Sequence, residues 1–245
     1  MFYRIQEMVI IDSVKLRLHR DIVADPVLHG LVLNLYLNGE QYPHRVQDYF
    51  PMHVEEATEF ADSMRRHIAE EDKHSALYIR AIEKLEQPVM ELPMNDIYNE
   101  VIRAHTPVSF AIASDDDADR RRSKLAHFFA HLHYLEKRIA RSLEYHIEAC
   151  ANATTSYPEK AVGMVLKDEW RHVDYTGEAV AHLLPAQAAA EVMALHRRAE
   201  RRANLDFSAG QLGALLRNHA ARFPQFRGAG YRCCASLLRG ILSYA

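Results

Sequence analysis

Two five-residue phrases, one in each half of the chain, carry residue types that can hold a metal ion. The first is Glu70-Glu71-Asp72-Lys73-His74 and the second is Asp168-Glu169-Trp170-Arg171-His172. Each reads acid, Glu, any residue, base, His. A glutamate and a histidine three apart on a helix lie on one face, one turn above the other, so both can reach the same ion. Carboxylate oxygen together with imidazole nitrogen suits iron, manganese or zinc. The spacing alone is weak, because in a chain with 15 histidines about one Glu-x-x-His arises by chance. The setting is what gives it weight.

Around the first phrase, Phe60, Met64, Ile68, Glu71, Ser75, Tyr78 and Ile82 recur every three or four residues. Around the second, Val162, Val165, Glu169, His172, Thr176, Val180 and Leu183 do the same. Both pairs therefore interrupt the apolar stripe that a helix turns toward a core. A carboxylate buried there costs several kcal/mol unless it is paired or bound to metal. The plainer alternative is a pair of core helices joined by salt bridges. Two further stripes each contain one acid. Leu125, Phe128, Phe129, Leu132, Leu135, Ile139 and Leu143 enclose Glu136, whereas Glu144 and Glu148 fall on the polar side. Leu33, Tyr36, Leu37, Glu40 and His44 form a comparable line. Glu40 precedes Glu71 by 31 residues and Glu136 precedes Glu169 by 33, as two similar helical hairpins would give.

In these residues the chain resembles the ferritin-like di-iron carboxylate proteins, over roughly residues 26 to 184. That family includes ferritins, rubrerythrins, ribonucleotide reductase small subunits, acyl-carrier-protein desaturases and several oxygenases. The resemblance implies an all-α fold: a four-helix bundle with a long crossover between two hairpins and extra C-terminal helices. It also implies Glu40, Glu71, His74, Glu136, Glu169 and His172 as ligands of two iron ions, or of a manganese-iron pair. Glu70 and Asp168 would then be the partners that orient the histidines across the pair. His67, four before Glu71, matches the extra histidine ligand of some arylamine N-oxygenases; a packed histidine is the alternative. Tyr78, four after His74, has the spacing of the radical tyrosine of reductase small subunits, and a core tyrosine is the alternative.

Composition and punctuation supply the elements that must position these residues. At 245 residues, 49% hydrophobic, with nine glycines and nine prolines, the chain fits a helical domain with an ample core. Three cysteines, two of them adjacent, offer no disulfide framework and suit a reducing, cytoplasmic setting. No cleavable signal and no apolar run of membrane-spanning length is visible. Residues 1–25 read as a lead segment, 26–185 as the metal-binding unit and 186–245 as a basic helical extension packed on it. Asp25-Pro26 starts a helix, but Pro43 predicts a kink beside Glu40, which makes Asp48 and Glu55 its substitutes. The next helix is predicted from about 53 to 87, before Pro88. Residues 88–117 form the crossover, with a short helix near 95–104. Asp115-Asp116-Asp117 starts the third helix, whose His127, His131 and His133 read as packed or solvated. Ser156-Tyr157-Pro158-Glu159 is a capping box for the fourth, which ends at Pro185. A further helix spans 186–204.

Residues 196–245 hold nine arginines and two acids, while the rest of the chain is net negative. His196 to Arg202 is the densest part. It reads as a solvated helix face, or as a docking face for an acidic carrier protein, a phosphorylated substrate, tRNA or a membrane surface. Leu237 to Leu242 could cover a substrate channel or a homodimer interface. The resemblance implies an O2-dependent oxygenase or oxidase: hydroxylation, N-oxygenation or desaturation of a small or carrier-bound substrate, with electrons from a donor protein. The alternatives are an iron-handling ferritin or rubrerythrin relative, although the Cys-x-x-Cys of rubredoxin is lacking, and a radical or manganese-iron oxidase centred on Tyr78.

Overall fold

The computed structural model describes residues 2–41, 50–52, 54–151 and 156–244, and of 2–12, 156 and 243–244 the backbone only. Among these residues there are eight α-helices, three short 3-10 turns and no strand. The helices are α1 (Phe2–Val23), α2 (Pro26–Glu40), α3 (Ala61–Lys84), α4 (Tyr98–His105), α5 (Ala118–Cys150), α6 (Ser156–Leu183), α7 (Ala186–His219) and α8 (Gln225–Tyr244). None of them is long and apolar enough to cross a membrane.

Helix α2 begins as its sequence dictates. The Asp25 carboxylate accepts from the backbone N–H groups of Val27 and Leu28, and Pro26 occupies a first-turn position. Those two bonds satisfy amides that a helix start otherwise leaves open. The helix closes at Glu40, with the Gln41 amide bonded to the Leu37 carbonyl. Glu40 therefore stands in a last turn and not beside a mid-helix kink. Pro43, His44 and Asp48 lie outside the described residues.

Side-chain amides fix α2 against the connection that follows α3. Asn34 and Asn38, one turn apart and both buried, bond to the backbone of residues 88–92. Asn34 accepts from Met90 N at 2.7 Å and donates to Pro88 O at 3.0 Å. Asn38 accepts from Leu92 N at 2.9 Å and donates to Met90 O at 2.8 Å. An extended segment thereby pairs with amides instead of a strand, and its backbone groups stay satisfied. A side chain at Gly30 would meet Gln87 Cγ at 2.6 Å, so the close approach of these segments requires the glycine.

Three element boundaries differ from expectation. The 3-10 turn Glu55–Phe60 precedes α3, so the α-helix proper starts at Ala61. It ends at Lys84 because Glu86 adopts φ 55°, which turns the Gln87 amide back onto the Ile82 carbonyl. Helix α7 runs 15 residues beyond Asn204, to His219. Gly210 and Gly213 weaken that stretch by about 1 kcal/mol each. Even so, Ala209, Leu212 and Leu216 keep a buried face going, and the next proline is Pro224. Packing outweighs propensity. The short crossover helix, by contrast, falls close to expectation at Tyr98–His105, and Asp117 caps α5 through the Arg120 amide. The capping box at the start of α6 involves Ser156, whose side chain is outside the described residues.

Helix α2 packs on α3, α3 on α6, and α6 along α5. Helices α1 and α7 both lie against α5, α7 also holds α4, and α8 returns along α7. Of the four apolar clusters among the described residues, the two largest flank the buried polar residues. Met64, Leu125, Phe129, Leu132 and Val180 belong to one, and Leu37, Tyr78, Leu143 and Val165 to the other. Along α3, α5 and α6, His67, His74, Glu136, Asp168, Glu169 and His172 fall between members of these two clusters. A low-dielectric layer thus encloses the polar site from both ends.

Candidate metal centre

Four helices converge on one point. Glu40 comes from the end of α2, Glu71 and His74 from α3, Glu136 from α5, and Glu169 and His172 from α6. His67, one turn before Glu71, joins them. The ligand atoms fall into three overlapping groups, Glu40-Glu71-His74-Glu169, Glu136-Glu169-His172 and His67-Glu71-His172, and within each they lie no more than 4.8 Å apart. Glu71 and Glu169 each belong to two of these groups. Glu169 places one oxygen 3.3 Å from His74 Nδ1 and the other 3.4 Å from His172 Nδ1. Glu71 Oε1 lies 3.1 Å from His67 Nε2 and 3.7 Å from His172 Nδ1. Glu40 reaches His74 Nδ1 at 3.5 Å, and Glu136 reaches His67 Nε2 at 3.5 Å. All six positions anticipated from the two phrases and the two stripes are brought together. Glu55, the substitute for Glu40, is exposed and outside the cluster.

The far nitrogens of the two motif histidines are held crosswise. His74 Nε2 on α3 donates to Asp168 on α6 at 3.1 Å, and His172 Nε2 on α6 donates to Glu70 on α3 at 2.9 Å. Donation through Nε2 leaves each Nδ1 with a lone pair directed at the carboxylates, the tautomer that metal ligation requires. The bases within the phrases hold the acids in turn. Arg171 bonds Glu70 and Asp168, each at 2.6 Å, and Lys73 bonds Asp168 at 2.9 Å. The sequence displayed these bases without revealing their task. It gave no role at all to Tyr175, whose hydroxyl meets His67 Nδ1 at 2.7 Å and so turns Nε2 toward the cluster. The His67 and His172 rings stack at 3.6 Å.

Charge in this layer is unevenly shared. Burial, and after it Glu71, push Glu40 well above the usual carboxylate range; burial and Glu169 do the same to Glu136. Burial also raises Glu71, but the adjacent His67 ring outweighs it and the group sits at about 2. Glu169 is likewise lowered, its burial outweighed by His172 and His74. For the histidines burial disfavours the cation, yet Glu169 lifts both His74 and His172 above the ordinary value. His67 is lowered by burial and then by His172. Several atoms at the centre (His67 Nε2, Glu71 Oε1, His74 Nδ1, Glu169 Oε2 and His172 Nδ1) are buried and make no well-aligned hydrogen bond. Buried polar atoms are rarely left so. Five of them converging on one space fit a metal-binding role, with donors that iron, manganese and zinc all accept.

No family model, curated protein or solved structure matches this chain. What the centre does must therefore be read from its own geometry.

Cation binding should expel protons. Glu40 and Glu136, raised by burial and their acidic neighbours, and His74 and His172, raised by Glu169, hold protons more tightly than free side chains do, and an ion must displace any they carry. Adding Fe(II) or Mn(II) to weakly buffered, metal-free protein is expected to acidify the solution, and affinity should fall as pH falls. A titration with no proton release would show that the acids are already ionised.

One wall of the centre opens on a cavity of about 390 Å³. Glu40, Glu71 and Glu136 stand at its inner end. Tyr36, Leu135 and Ile139 line its sides, and Leu212 and Leu238, from the C-terminal helices, line its outer part, which stays open to the surface. The apolar C-terminal run thus forms cavity wall at Leu237 and Leu238. The basic cluster of α7 is two-sided: Arg197, Arg198, Arg201 and Arg202 are exposed, whereas His196 and Glu200 are buried. His196 meets His127 at 3.1 Å and Glu200 bonds Arg138 at 2.6 Å. Two further histidines of α5 are packed, His131 beside Thr106 and His133 beside the Val173 carbonyl.

Proposed function

We propose that the chain is a ferritin-like di-iron protein that uses O2 to oxidise an organic substrate. The observation that carries this reading is the cavity. An iron-storage centre has no need of an apolar chamber against its carboxylates, whereas an oxygenase must hold a substrate there. Its volume of about 390 Å³ is in the range of small-molecule pockets, roughly 300–1,000 Å³. Glu40, Glu71, His74, Glu136, Glu169 and His172 would hold the ions, with His67 as an additional ligand. When bound, two ferrous ions supply electrons to O2, chemistry the side chains cannot perform.

The protein's share is placement and exclusion. Glu71 and Glu169, each within reach of more than one histidine, would hold the ions together with Glu40 and Glu136. Asp168 and Glu70 keep the imidazoles aimed, and the two apolar clusters keep water from the layer. Leu135 and Ile139 would press a nonpolar part of the substrate toward the acids. Tyr78 favours a second reading, a radical oxidase: its hydroxyl is wholly buried and unpartnered, and its ring lies 5.6 Å from that of Tyr36.

The test is anaerobic Fe(II) titration of the metal-free protein followed by O2. Two irons per chain and an O2-dependent absorbance are expected. Uptake far above two per chain would support storage. A tyrosyl EPR signal lost in Tyr78→Phe would support the radical reading. No iron binding would sink all three.

A further inference from the structure

A second group of ligand-type side chains lies away from the carboxylates and contains sulfur. His146 and Cys150 are four apart on α5, one above the other, and His29 faces them from α2. Their ligand atoms lie within 4.8 Å of one another, and all three residues are buried. His29 Nε2 and His146 Nε2 are 3.0 Å apart, a hydrogen-bond distance that need open by only about 0.3 Å to match two nitrogens on one tetrahedral ion. The Tyr36 hydroxyl oxygen sits 3.4 Å from His146 Nδ1, where it can accept a hydrogen bond from Nδ1–H and leave Nε2 free to bind.

The group is poorly satisfied as a core. One hydrogen bond links the two histidines, yet His29 Nδ1 is buried without a partner, and so is Nδ1 of His19, whose ring packs 6.0 Å from that of His146. We propose that His29, His146 and Cys150 form a second metal site, for a thiophilic ion of the Zn(II) or Cu(I) class. Two imidazoles and a thiol make a softer set than the oxygen-rich centre, so the two sites select different metals. Burial keeps both rings neutral, with His29 at about 4, so their lone pairs are available at neutral pH. Burial also pushes the Cys150 thiol up to about 11, and ligation would displace its proton. The rings of Tyr36 and Tyr78 stand between this group and the carboxylates.

The experiment uses full-length protein made in cobalt- or zinc-supplemented medium, so that the buried site can fill during folding. Cys233 and Cys234 are first replaced by serine, because exposed or half-buried thiols bind cobalt on their own. A thiolate-to-cobalt charge-transfer band in the near ultraviolet is expected. Cys150→Ser, which barely changes volume, should abolish the band and remove one equivalent of metal per chain. His29→Ala should do the same. Absence of the band, or its survival in both variants, would overturn the proposal. The carboxylate centre has no sulfur, so this readout is blind to it, and either site can fail without the other.

Discussion

Glu169→Ala is expected to leave the chain helical and nearly unable to hold metal. Glu169 is the acid whose two oxygens serve both motif histidines, at 3.3 and 3.4 Å, and it is almost fully buried. Its removal takes a ligand from each half of the centre at once, and neither His74 nor His172 retains a carboxylate on its inner nitrogen as close. Iron stoichiometry should drop from two per chain to near zero, with helical circular dichroism retained. Glu136→Ala provides the contrast. That acid touches the cluster from one end, so its loss should weaken one ion more than the other. Equal retention of iron in both variants would mean that the ions lie elsewhere.

Asp168→Asn should weaken metal binding by about 10–100-fold, the usual cost of losing a partner that orients a histidine ligand. The Asp168 carboxylate accepts from His74 Nε2 and Lys73 on one oxygen and from Arg171 on the other. An asparagine can present its oxygen or its amine to His74, but it no longer makes the imidazole a stronger base. It also leaves Lys73 without its anion. Equilibrium dialysis against Mn(II) or Fe(II) measures the change, with helical content as the control. Unchanged affinity would reduce Asp168 to an ordinary ion-pair partner.

Much of this was legible in the chain because burying an acid is costly. Glu71, Glu136 and Glu169 interrupt apolar stripes, and the structure places them face to face. Glu40 was harder to read, since Pro43 three residues on obscured where its helix ends. Tyr175 was invisible for a different reason: it lies beside its helix's stripe and acts on His67, 108 residues away, so no local pattern announces it. The cavity could not be read either. It exists because α1, α7 and α8 wrap α2 and α5 without filling the space between them, and such gaps follow from tertiary packing alone. His146 and Cys150 did carry a helical spacing, but their partner His29 comes from another helix, and a lone pair of that kind is common.

The crosswise holding of the histidines has a mechanical consequence. Glu70 on α3 steadies a ring that belongs to α6, and Asp168 on α6 steadies one that belongs to α3. Neither helix can slide along its axis without misaiming the other's ligand. A slip of one turn, about 5.4 Å, would undo both bonds together. The pair behaves as an interlock: each half of the chain checks the register of the other, and the acids and histidines drawn from both converge only when the two agree.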